Sequence, residues 1–185
     1  MRLTAAILVA LATTSASAFE GLPFNLGGSY ALTNQHGDVR TEADPEGNYQ
    51  LLFFGYANCL QICSAALPMM GDIAADIAEV GTVVPVMITV DPETDTPEYL
   101  NTLTQYHDSF IGLTGTEDEL QVAYDAFSVE KELLFVDPTG YPVYSHGSFL
   151  YLLDGNGEVL TLVPPILDVD QAVALITPYL EGQEG

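Results

Sequence analysis

Two runs of the chain are apolar without alternation. Leu51, Leu52, Phe53 and Phe54 sit within Gln50 to Tyr56, and a second run extends from Val83 to Val90. Continuous apolar character over seven or eight residues predicts strands covered on both faces. Between them a helical pattern leads from Asn58-Cys59-Leu60-Gln61-Ile62-Cys63 through about Val80. Thr96 followed by Pro97 supplies a cap and a first-turn proline for a helix to about His107. Thr116 with Glu119 three residues on makes a capping box for another helix, to about Phe127.

The last third reads as strands at Leu133 to Val136, Pro142 to Tyr144, Phe149 to Leu153 and Val159 to Val163, with a turn at Asp154-Gly155-Asn156-Gly157. A final helix is expected from about Val169 toward Leu180, disturbed at its end by Pro178. Near the start, Ser29 to Thr33 and Val39 to Thr41 flank the turn-rich Asn34-Gln35-His36-Gly37-Asp38, the pattern of a hairpin. The resulting order is β-α-β-α followed by β-β-α. It predicts an α/β thioredoxin-like fold, with a central mixed β-sheet flanked by helices and an N-terminal β-hairpin.

The first eighteen residues break this pattern. Met1-Arg2 is a short basic start, Leu3 to Ala12 is apolar, and Ala16-Ser17-Ala18 has the small-x-small form of a signal-peptidase site. Cleavage after Ala18 is expected, leaving residues 19–185 as a single domain. The apolar stretch is shorter than the roughly 20 residues of a membrane-spanning helix, and no later segment is long enough without charge to span. Export to a bacterial periplasm as a soluble monomer is the expectation.

Charge narrows the partners. The 185 residues hold 26 Asp and Glu against 3 Lys and Arg, a formal net charge of −23. Nucleic acid and anionic lipid surfaces are excluded as partners, because binding phosphates relies on basic side chains. The 16% of charged residues, against 48% hydrophobic, marks a folded chain rather than a disordered one.

The chain has two cysteines, Cys59 and Cys63. On the first turn of a helix their i, i+4 spacing puts both sulfurs on one face. A structural disulfide, a redox pair and a metal site are all open to them. A disulfide closing so short a loop gains little stability and is strained, which suits reversible chemistry. A metal lets the sulfurs stay apart, and two thiolates favour a soft ion such as Cu(I), completed by a third soft or borderline ligand. His36 lies in a surface turn, and His107 near a helix C-terminus, where a capping role is expected. His146 precedes the strand Phe149 to Leu153, where a histidine is ordinarily a surface or hydrogen-bonded residue. Met69 and Met70 offer thioethers, but Cys63, Leu67 and Met70 share one helical stripe, the pattern of core packing.

Several segments, in order over roughly residues 24 to 180, resemble the Sco/SenC family of copper chaperones. They are Leu32-Thr33-Asn34-Gln35-His36-Gly37, Thr41-Glu42-Ala43-Asp44, Phe54 to Cys63, Val90-Asp91-Pro92-Glu93-Thr94-Asp95-Thr96-Pro97, Gly112-Leu113-Thr114-Gly115 and His146 to Asp154. The resemblance implies a thioredoxin-like fold and one copper, Cu(I) or Cu(II), held by Cys59, Cys63 and His146. It also implies a role in metallating the CuA site in subunit II of cytochrome c oxidase, or another periplasmic copper or thiol protein as partner. Some members act instead as thiol-disulfide reductants, so Cys59 and Cys63 are also candidates for the redox pair of an oxidoreductase. The chain departs from the family at Leu60, Gln61, Ile62 and Ser64, where Pro-Asp-Val and a following Pro are usual, and at Ser145, where Asp is common.

Overall fold

The computed structural model describes residues 26–57 and 63–182. Strands β1 (Leu32–Asn34) and β2 (Val39–Arg40) form the expected hairpin, with Leu32 opposite Arg40. Its turn is set locally: the Asn34 carboxamide oxygen accepts the amides of His36 and Asp38, both at 2.9 Å, and Gly37 takes the left-handed φ of +87°.

The two apolar runs become β3 (Tyr49–Gly55) and β4 (Val83–Thr89), parallel and in register from Tyr49↔Val83 to Gly55↔Thr89. They lie in the middle of a seven-stranded sheet of order β2-β1-β5-β4-β3-β8-β9. Here β5 is Ile111–Thr114, β8 is Leu150–Leu153 and β9 is Val159–Val163. The β3–β4 and β4–β5 pairs are parallel, whereas β8 is antiparallel to both β3 and β9. This mixed sheet, with its closing hairpin and C-terminal helix, is the thioredoxin-like arrangement that the element order predicts.

Helix α1 (Cys63–Asp76) carries the chain from β3 to β4 and buries Leu67, Met70, Ile73 and Ala74; the chain then turns tightly through Val80. It packs beside α4 (Val169–Glu181), which buries Ala172, Ile176 and Leu180 at successive i+4 positions. Helix α3 (Glu117–Ala126) starts in the expected Thr116–Glu119 capping box and sets Tyr124 edge-on to Phe54, ring centroids 6.0 Å apart.

Three features depart from the sequence reading. The helix after Thr96 is α-helical only as α2 (Pro97–Leu100) and continues as a 3₁₀ turn over Asn101–Gln105. The hydroxyls of Thr102 and Thr104 donate to the carbonyls three residues back, at 2.7 and 2.8 Å, which favours the tighter winding. Pro178 does not end α4: burial of Leu180 and Ile176 outweighs the one backbone bond the proline cannot make. Strand β5 has no counterpart in the hydrophobic pattern. Gly112 sits at its centre because a side chain there would collide with Leu100 and Leu103, and the buried Gln35 carboxamide holds its start by accepting Gly112 N–H and donating to the Phe110 carbonyl.

Strands β6 (Glu132–Val136) and β7 (Pro142–Ser145) form a separate two-stranded sheet. The turn between them is closed by Asp137, whose carboxylate accepts from the Thr139 amide and hydroxyl and the Tyr141 amide. Leu133, Leu134, Phe135 and Val136 are all more than half exposed.

Candidate metal and thiol site

Strands β3 and β4 end together, and Val90 N–H donates to the Gly55 carbonyl at 2.7 Å just past the ladder. In open α/β sheets, the carboxyl ends of parallel strands are where loops from separate parts of the chain converge. Here three do so. They are the segment Tyr56-Ala57 that runs toward Cys59, the loop Asp91 to Thr96, and the stretch after β7 that carries His146.

Cys59 lies outside the described residues, as do Leu60, Gln61, Ile62 and the expected leader, residues 1–18. Cys63 is described by its backbone, as the first residue of α1. Among the described residues no group of three or more His, Cys, Asp or Glu side chains is assembled to hold a metal ion.

His146 is brought to the end of β3, the strand that leads to the cysteines. Its ring meets Phe53 and Tyr56 edge-on, with centroids 5.7 and 5.8 Å apart and interplanar angles of 76° and 82°. Tyr56 is in turn edge-on to Tyr144 at 5.8 Å, so aromatic packing ties the histidine, β3 and the β6–β7 hairpin together. His146 Nδ1 stands 2.9 Å from the Gly147 carbonyl oxygen. A carbonyl only accepts, so Nδ1 carries the proton, and in the neutral ring the lone pair is on Nε2. The Gly147 carbonyl thereby fixes both the tautomer and the orientation of the ring.

The other sulfur and nitrogen candidates fall as the sequence pattern indicates. His36 is exposed in the β1–β2 turn, Met70 is fully buried, and Met69 packs against the core. His107 caps a turn, but through its ring nitrogen as acceptor: Nδ1 takes the Ser109 amide at 3.2 Å and lies 2.8 Å from the Ser109 hydroxyl. A bonded amide, rather than the helix dipole acting on a cation, is what this ring answers. Ser145 is exposed at the end of β7.

Asp95 is the residue that sequence reasoning missed. Its side chain is wholly buried, yet it is a carboxylate. Oδ2 accepts the Thr89 hydroxyl at 2.6 Å, and the two oxygens share the Ala57 amide at 3.1 and 3.3 Å. Burial pushes its carboxyl up to about 6, against the smaller opposing pull of the Thr89 and Ala57 hydrogen bonds. Its place before the Thr96 cap disguises it as one more helix-start acid. Beside the site, an apolar cleft of about 230 Å³ opens between Ala65, Ala66 and Met69 of α1 and Ser148, Leu150 and Pro165.

Comparison with known proteins agrees with this architecture. The SCO1/SenC family model matches residues 20–181. A SCO2-like protein of Rickettsia felis is 36% identical over 139 residues, covering 73% of this chain and 67% of that protein. Arabidopsis thaliana ScoI, solved with copper bound, superposes with a TM-score of 0.79 at 25% identity, covering 85% of this chain and 99% of that one. Yeast Sco1 with copper bound gives 0.76 at 29% identity, covering 85% and 89%. With the thioredoxin-like sheet, a cysteine opening α1 and a histidine packed on the strand before it, the chain belongs to the SCO1/SenC family.

Proposed function

We propose that this chain is an exported copper-binding protein of cytochrome c oxidase assembly, which binds one copper through Cys59, Cys63 and His146. It passes that copper to the CuA site or prepares the thiols of that site. Copper is its cargo. The observation that carries this reading is His146: it is held against the end of the strand entering the cysteine segment, with the proton on Nδ1 and the lone pair on Nε2. Two thiolates and one imidazole are a donor set suited to Cu(I). Membership of the family, and copper in the solved relatives from Arabidopsis thaliana and yeast, support it. Among the described residues no helix is long and apolar enough to cross a membrane; a leader cleaved after Ala18 would release the chain into the periplasm.

A second reading uses the same cysteines as a thiol-disulfide oxidoreductase, and the observation favouring it is Cys63 at the N-terminus of α1. The two readings part at His146. Anaerobic Cu(I) titration of the reduced protein against a competing chelator is expected to give one copper per chain. Either Cys→Ser change should abolish binding, and His146→Ala should weaken it at least tenfold. Wild-type copper affinity in His146→Ala, with disulfide exchange lost only in the Cys→Ser variants, would overturn the chaperone reading in favour of the oxidoreductase.

A further inference from the structure

His146 stands outside the strands. It follows Ser145 at the end of β7, and residues 146–149, before β8 begins at Leu150, belong to no strand or helix. Its contact with the Gly147 carbonyl is local and ties the ring to its own stretch of backbone. Gly147 itself is not wedged in place, since a Cβ there would lie 4.0 Å from Tyr151 and Val129. The imidazole is tied to the sheet by two rings, Phe53 and Tyr56, edge-on to it with centroids 5.7 and 5.8 Å away. Both rings are themselves fixed: Phe53 is fully buried in β3, and Tyr56 is 5% exposed. Gly55 lies between them in the chain. A side chain there would collide with the Phe53 ring, so the missing Cβ lets that ring lie along the end of the strand. Tyr56 also meets Tyr144 edge-on at 5.8 Å, so a single ring braces Tyr144 and the residue two positions beyond it. Tyr144 is braced in turn by the Lys131 ammonium, 5.2 Å from its ring centre, and Glu117 of α3 holds that ammonium at 3.0 Å.

An imidazole that rotates in the metal-free protein gives up that freedom when it takes a metal, and a ring ordered beforehand does not. We propose that Phe53 and Tyr56 are positioning residues for His146: their rings clasp the imidazole and, with Nδ1 on the Gly147 carbonyl, keep Nε2 preorganised as a metal donor. The inference rests on the reading that His146 ligates copper, and it names what holds that ligand. Edge-on ring contacts are directional, whereas an aliphatic side chain of similar bulk packs without orienting its neighbour. The tyrosine hydroxyl plays no part in the ring contacts, so phenylalanine should serve at position 56 and leucine should not.

The first measurement uses reduced, metal-free protein at about pH 8, above the ordinary imidazole range near 6.5. Imidazole-nitrogen NMR of the wild type should show His146 as the Nδ1–H tautomer, and its χ1 couplings should show a single rotamer. Tyr56→Phe should match, whereas Tyr56→Leu should show averaged tautomers and rotamers. The second measurement is Cu(I) affinity against a competing chelator. Tyr56→Leu is expected to weaken binding about three- to tenfold, and Tyr56→Phe less than about twofold. Added to His146→Ala, Tyr56→Leu should cost less than about twofold more, because the ligand it positions is gone. A merely structural role, or one exerted through the cysteine segment, would give the same loss with and without His146 and would overturn the proposal. A single tautomer and rotamer retained in Tyr56→Leu would also overturn it, as would an equal loss in Tyr56→Phe, which would assign the effect to the hydroxyl. If Tyr56→Leu does not fold, Phe53→Leu carries the same two measurements. Copper affinity indifferent to His146 in every background would sink the chaperone reading, and the metal-free NMR would then decide the positioning role by itself.

Discussion

The buried Asp95 makes a statement about folding stability that has a definite sign. Its carboxyl is held up to about 6 in the fold, against an ordinary 3.8 in the unfolded chain. Ionising it costs more in the folded protein than in the unfolded one. The contribution of this group is therefore fully present below about pH 3.8 and is lost as pH rises through 6. A difference of about two pH units, at about 1.4 kcal/mol each, amounts to about 3 kcal/mol. Asp95→Asn removes the titration while keeping the shape. Urea denaturation of both proteins, metal-free and with the cysteines kept reduced, should show wild-type stability falling relative to the variant by about 3 kcal/mol between pH 3 and 7, then levelling. The other carboxylates titrate in both proteins and cancel in the difference. A difference that stays flat with pH would refute the reasoning, and so would a wild type that gains on the variant as pH rises.

Two further outcomes follow from packing. Gly71 lies inside α1, where alanine is ordinarily better by about 1 kcal/mol, but a Cβ there would run into the backbone carbonyl of Tyr106; Gly71→Ala should lose about 1–3 kcal/mol in urea denaturation, and a gain would mean that propensity governs the position. Phe135 on the β6–β7 hairpin is about half exposed, so Phe135→Ser should change the melting stability by less than about 0.5 kcal/mol, and a loss above about 2 kcal/mol would show that the hairpin is covered in solution.

The elements legible in the sequence are those whose cause is local. The apolar runs at Leu51 to Phe54 and Val83 to Val90 have no polar alternation, so only a strand buried on both faces accommodates them, and both are central in the sheet. The Thr116–Glu119 box and the Asn34–Asp38 turn satisfy their own backbone groups within a few residues. The cysteine segment was read as leading into a helix, and α1 opens at Cys63.

Tertiary structure decided what depends on partners distant along the chain. Strand β5 is four residues around a glycine and exists because β4 and β1 pair with it on either side. Pro178 is tolerated because Leu180 has a core to enter. His146 sits some ninety positions from Phe53 and Tyr56; the segment His146 to Asp154 singles it out by family resemblance, but hydrophobic period and capping do not place it on the strand before the cysteines. Asp95 reads in sequence as an acid before a helix cap; only the meeting of β3, β4 and α2 removes it from water and turns its carboxylate into an anchor for Ala57. Hydrophobic period and capping are properties of neighbouring residues, whereas desolvation and convergence are properties of the folded chain.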